Sequence, residues 1–144
     1  MRSATRLERL TAGDWLLLAA AAAAQIAAYC ALNAVPLSRL GPAAARLRPL
    51  ARVLLKGREE RVIWAIEATG RRLRGASTCL VRAMVAQIRF AGSDRAVRLE
   101  IGIRRACGGA IESHAWVSDG DRVLIGGPVA PEFVRLAAMW ERSA

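Results

Sequence analysis

A cysteine expected at a helix start and a lone histidine expected on a strand are the residues of this chain that could do chemistry together. After Ser77-Thr78, the apolar residues Leu80, Val81, Met84, Val85 and Ile88 recur at helical spacing, which predicts a core helix capped by a hydroxyl. Cys79 then falls in the first turn, where unpaired N–H groups and the positive dipole end favour thiolate over thiol. From position alone, a small buried hydrophobe is the commoner reading of a free cysteine. Cys30 sits in an alanine-rich run and Cys107 in a glycine turn, and neither has a comparable setting. His114 lies in Ser113-His114-Ala115-Trp116-Val117. Strand alternation puts it on one face with Glu112 and Trp116, away from Ile111, Ala115 and Val117. A strand histidine alone is more often structural than a general base. A cysteine at a helix start, followed by the chain's one histidine on a strand that packs against that helix, is nevertheless the pattern that activates a thiol for acyl transfer.

The composition bounds what else the chain could be. Its 144 residues suffice for one domain with a genuine core, and 54% hydrophobic against 24% charged residues excludes disorder. Net charge is +10, from 22 Lys and Arg against 12 Asp and Glu, and Lys56 is the sole lysine. The excess is uneven: residues 1–75 hold 13 basic and 5 acidic groups (+8), residues 76–144 hold 9 and 7 (+2). A basic front half points to an acidic partner, an anionic membrane surface or nucleic acid. Three widely spaced cysteines with no CxxC pair argue against a disulfide framework and a structural zinc site. The sequence has no GxxxxGK[ST] phosphate loop.

The elements that must position Cys79 and His114 follow from periodicity. Thr11-Ala12-Gly13-Asp14 reads as a helix start with Asp14 as N-cap. Residues 15–32 contain one strongly polar side chain, Gln25, around six consecutive alanines. That run just reaches membrane-spanning length, but alanine contributes little transfer energy. A buried or membrane-surface helix therefore ranks first, a spanning helix second and a cleaved signal last. A basic helix over 43–55 follows, with Leu47, Leu50, Val53 and Leu54 as its apolar face. Glu59 and Glu60 open another helix, through Val62, Ile63, Ile66 and Leu73, that Gly75 ends. Beyond the Cys79 helix, Val97, Leu99, Ile101 and Ile103 alternate with Arg98, Glu100, Gly102 and Arg104, which predicts a strand with one buried face. Further strands are expected over 111–118 and 122–125, joined by the turn Asp119-Gly120-Asp121. Pro131 could open a last helix carrying Phe133, Leu136, Ala137 and Trp140. The sum is an α+β chain. Residues 1–58 form a helical region, apolar then basic, and residues 59–144 form the core, its cysteine helix packed on a small antiparallel sheet.

Three stretches carry a family resemblance: Ser77-Thr78-Cys79-Leu80-Val81-Arg82-Ala83, Leu99-Glu100-Ile101-Gly102-Ile103-Arg104-Arg105, and His114-Ala115-Trp116-Val117. Together they resemble the transglutaminase-like (papain-like) core of the free-standing lasso-peptide leader peptidases, whose cysteine motif reads much like CLVRA and whose histidine motif reads HAWVE. Val62-Ile63-Trp64-Ala65-Ile66-Glu67 is similar to the helix before their catalytic cysteine. The resemblance covers nearly the whole chain and is most specific over 61–127.

The resemblance implies a cysteine peptidase that cleaves a ribosomally made precursor between leader and core through a thioester. Cys79 would be the nucleophile and His114 the general base and acid, with no cofactor and no metal. The family's third member is an aspartate about a dozen positions after the histidine, where this chain has Gly126. Either a backbone carbonyl orients the imidazole, or one of Glu112, Asp119 and Asp121 substitutes. The implied partners are the precursor's leader, a separate winged-helix-type protein that grips it, and the cyclase that closes the macrolactam. A membrane surface is a further candidate, nucleic acid is not expected, and the expected location is the cytoplasm, with membrane association left open. The alternative is a non-catalytic, Arg-rich membrane-surface or nucleic-acid-binding protein. A single-strand groove would want more interleaved aromatics than Trp15, Tyr29 and Trp64.

Overall fold

Two helix caps set the frame. In a computed structural model, which describes residues 10–92 and 94–139, the first helix (α1, Ala12–Ala34) begins with Thr11 as N-cap. Thr11 Oγ1 accepts from the Asp14 N–H at 3.3 Å, and the Asp14 carboxylate accepts from the Thr11 N–H at 2.9 Å. Asp14 is thus the reciprocal acid of a capping box and not the cap itself, which corrects the expected boundary by one turn. It is buried and ion-paired with Arg61, so the cap also ties α1 to the third helix (α3, Glu59–Leu73).

The second helix (α2, Leu37–Leu54) starts six residues before the expected position and runs through Pro42 and Pro49. Both prolines are exposed, as are Ser38 and Ala45, whose carbonyls they leave unpaired, so water can satisfy what the helix loses. The expected apolar face is also wrong. Leu40 and Ala44 face inward, while Leu47, Leu50, Val53 and Leu54 are 48–72% exposed.

A 3₁₀ turn over Arg74–Ala76 leads into α4 (Cys79–Phe90). Val62 and Ile66 of α3 meet Val81, Met84 and Val85 of α4 in one buried cluster. Each such side chain, fully removed from water, contributes about 2 kcal/mol.

Four antiparallel strands complete the chain: β1 (Val97–Arg105), β2 (Ile111–Asp119), β3 (Arg122–Ile125) and β4 (Val134–Met139), in the order β3-β2-β1-β4. The β1–β2–β3 meander falls where alternation and turn residues put it. The last element does not: the expected helix from Pro131 is β4, paired with the outer edge of β1. A free β1 edge offers that short segment a full ladder of hydrogen bonds, which outweighs its helical spacing. Trp140, assigned to the same helix, lies outside the described residues.

Leu99, Ala115, Val117, Leu124 and Ile125 join α4 in the core. The expected single buried face of β1 is a second correction, because Glu100 is also buried. Its carboxylate accepts from the Trp116 indole N–H at 2.5 Å and pairs with Arg135 of β4 at 3.3 Å. Glu100 and Trp116 are register partners, so the indole has an acceptor directly across the ladder.

Candidate active site

Cys79 is the first residue of α4, directly after the N-cap Thr78, whose hydroxyl accepts from the Val81 N–H at 3.3 Å. The approach to that cap is fixed from below. The buried Ser77 hydroxyl donates to Gln25 Oε1, and Gln25 Nε2 donates to the Ile66 carbonyl at 3.1 Å and to Thr69 Oγ1 at 2.6 Å. Gly70 makes the closeness feasible, since a Cβ there would stand 2.9 Å from Ser77 Oγ and 2.7 Å from Arg82 Cδ. Three helices therefore converge behind Cys79. Its own side chain is half-buried against the core, whereas Cys30 and Cys107 are exposed, and all three are free thiols. Gln25 stands out in the sequence as the one strongly polar residue of an apolar run, but its task, and the closeness of Ser77 and Gly70, depend on partners distant along the chain.

His114 is anchored differently. Its Nε2 lies 2.5 Å from the Gly126 carbonyl oxygen. A carbonyl can only accept, so Nε2 donates in that bond, and in the neutral imidazole Nδ1 is then the basic position. Gly126 has φ +87°, and a Cβ there would lie 2.8 Å from both the Ala115 carbonyl and Trp116 Cβ. The position is built for glycine. Of the two alternatives for the missing aspartate, the backbone carbonyl is the contact observed. None of the three candidate acids hydrogen-bonds His114: Glu112 pairs with Arg104 at 2.7 Å, Asp119 with Arg95 at 2.6 Å, and Asp121 makes no bond to the ring.

The imidazole also packs on Trp116 (centroids 6.0 Å apart) and Phe133 (5.6 Å), with the Arg104 guanidinium 4.9 Å from the Phe133 ring centroid. A cavity of about 450 Å³ opens beside it, walled by Arg104, Glu112, Ser113, Pro128, Ala130 and Phe133. Cys79 is not part of that wall, and no hydrogen bond joins Cys79 to His114. Strand parity gives the reason: Ala115 and Val117 face α4, while His114 and Trp116 face Phe133. Thiol and imidazole thus stand on two separately anchored elements that the structure does not join.

A charge network locks the sheet to α3. Arg95 bonds Asp119 at 2.6 Å and Glu59 at 2.5 Å, and Arg122 bonds Glu59 at 2.7 Å. Burial pushes the Glu59 carboxyl upward, but bonds and attraction from Arg95 and Arg122 outweigh it and hold the group below its ordinary value. Hydrogen bonding to Asp119 raises Arg95 further. Among the described residues, no group of three His, Cys, Asp or Glu side chains could hold a metal ion.

Compared with known families, residues 15–138 match the model of the transglutaminase-like superfamily, and the chain belongs to it. No curated protein and no solved structure matches.

Proposed function

We propose that this transglutaminase-like chain is a cysteine peptidase that removes the leader from a ribosomally made lasso-peptide precursor. Cys79 acts as nucleophile and His114 as general base and acid. The observation that carries the reading is the state of the chain's one imidazole. It is held through Nε2 by the Gly126 carbonyl, at the position where the resembled peptidases have their aspartate, leaving Nδ1 free to take a proton.

In the proposed reaction the Cys79 thiol passes its proton to His114 Nδ1, and sulfur attacks the scissile carbonyl. The C–N bond breaks, the imidazolium protonates the departing amine, and the leader stays on sulfur as a thioester. His114 then deprotonates a water that attacks the thioester, returning the leader as a carboxylic acid and the enzyme as a free thiol. The released amine is the new N-terminus of the core peptide, the group a macrolactam-forming cyclase requires. A separate winged-helix-type protein presents the leader, and the setting is the cytoplasm, where precursors are made. The mechanism requires Cys79 and His114 to come into contact, and because His114 faces away from α4 this takes a rearrangement of the strand that carries it, beyond the tightening of an existing bond.

The absence of that contact favours a second reading, a non-catalytic Arg-rich binding protein. One experiment separates them: incubation with a precursor and its leader-binding partner, followed by mass spectrometry for free leader. Peptidase action requires leader release that Cys79→Ala and His114→Ala each abolish, with Cys30→Ala and Cys107→Ala unaffected. Release that survives in Cys79→Ala would refute the mechanism.

A further inference from the structure

From residue 15 to residue 58 the chain has no Asp or Glu, yet it carries Arg39, Arg46, Arg48, Arg52, Lys56 and Arg58. Within α2 these charges are not spread evenly. Arg39, Arg46, Leu50 and Val53 follow one another at spacings of seven, four and three, so they share one face, with Leu47 and Leu54 at its margin. All six are exposed, and neither Arg39 nor Arg46 pairs with an acid among the described residues. Arg52, by contrast, turns inward and bonds the Ala91 carbonyl at 3.0 Å. The outer face is therefore aliphatic and cationic at once, with no acid to balance it.

We propose that this α2 face docks on an anionic lipid bilayer, its leucines and valine entering the interface and Arg39 and Arg46 meeting the headgroups. Charge complementarity selects the occupant, because an acid-free face beside exposed aliphatics suits a surface that is both anionic and apolar beneath. α1 carries its own row of exposed Trp15, Ile26 and Tyr29, residue types suited to a membrane interface. α1 is also long and apolar enough to cross a membrane. Its opposite face, however, is committed to the fold: Leu17, Ala21 and Ala28 are buried, and Gln25 is bonded to α3. On this reading α2 lies on the bilayer and α1 does not span it. The inference does not depend on the proposed peptidase activity.

The test is co-sedimentation of the full chain with vesicles of phosphatidylcholine alone, or of equal parts phosphatidylcholine and phosphatidylglycerol. Binding is expected to the mixed vesicles, weakened by salt, and poor to the neutral ones. Arg39→Glu with Arg46→Glu is expected to weaken it at least about tenfold, and Leu50→Ser with Val53→Ser to weaken it as well. Arg105→Ser with Ile111→Ser, at the exposed far hairpin, is expected to leave it unchanged. Because all these side chains are exposed, an unchanged circular dichroism spectrum accompanies each variant. Equal binding to both vesicles, indifference to the α2 changes, or capture of a polyglutamate peptide without vesicle binding would overturn the proposal, the last in favour of an acidic protein partner.

Discussion

The two residues assigned to chemistry are held in place by opposite means. Cys79 sits at a helix start whose approach is fixed by side chains, with Gln25, Thr69 and Ser77 linked in a buried network drawn from three parts of the chain. His114 stands on a strand beside an open cavity, and its ring nitrogen is fixed by main chain, the Gly126 carbonyl. The difference teaches where each anchor is vulnerable. A side-chain network can be cut by one substitution and leaves unpaired polar atoms behind. A main-chain anchor can be disturbed only by changing the backbone that presents it.

The comparison is broken most severely at Gly126. Gly126→Ala adds a Cβ that would collide with the Ala115 carbonyl and Trp116 Cβ in a left-handed conformation. The expected cost is about 2–4 kcal/mol, read as a lowered urea midpoint, together with loss of leader release. An alanine variant with unchanged stability would show that the carbonyl is not locked in place.

Gln25→Leu cuts the other anchor and strands the buried Ser77 hydroxyl. The expected loss is about 1–3 kcal/mol, with the Cys79 thiol labelled at an altered rate and the His114 ring resonances unmoved. If those resonances shift as well, the two anchors are not independent.

The smallest effect concerns the lock between α3 and the sheet. The folded Glu59 carboxyl releases its proton more readily than the unfolded one, so its contribution is present above the unfolded value and lost as pH falls through the folded one. Wild type is expected to exceed Glu59→Gln by under about 1 kcal/mol at neutral pH. The gap should close as pH drops below 4.5, the group's ordinary value. A gap that persists in strong acid would assign it to packing instead.

Most elements were legible because local and tertiary signals agreed. The stripe from Leu80 to Ile88 buries Val81, Met84 and Val85 where its spacing places them, and the β1–β2–β3 turns fall at Cys107-Gly108-Gly109 and Asp119-Gly120-Asp121. The misses share a cause. Phe133, Leu136 and Ala137 fit a helical stripe and a strand equally over so few residues, and the free edge of β1 decides for the strand. Glu100 looks like a solvent-side residue until its cross-strand partner proves to be Trp116. The α2 face misled because four aliphatic residues at helical spacing normally face a core, and here they face out. At the candidate site, the cysteine's place at a helix start and the histidine's strand and face were readable. The Gln25 network was not, because its partners lie 41 to 52 residues away.

Competitive labelling of the three thiols is the most direct test that Cys79 is an activated nucleophile served by His114. The chain is treated with limiting iodoacetamide, and Cys30, Cys79 and Cys107 are quantified by peptide mass mapping in wild type and in His114→Ala. The account requires half-buried Cys79 to react faster than the two exposed cysteines in the free chain, and His114→Ala to slow Cys79 alone once precursor and its leader-binding partner are added. A Cys79 that reacts more slowly than Cys30 and Cys107 in the free chain, and equally with or without His114 when precursor and partner are present, would contradict it.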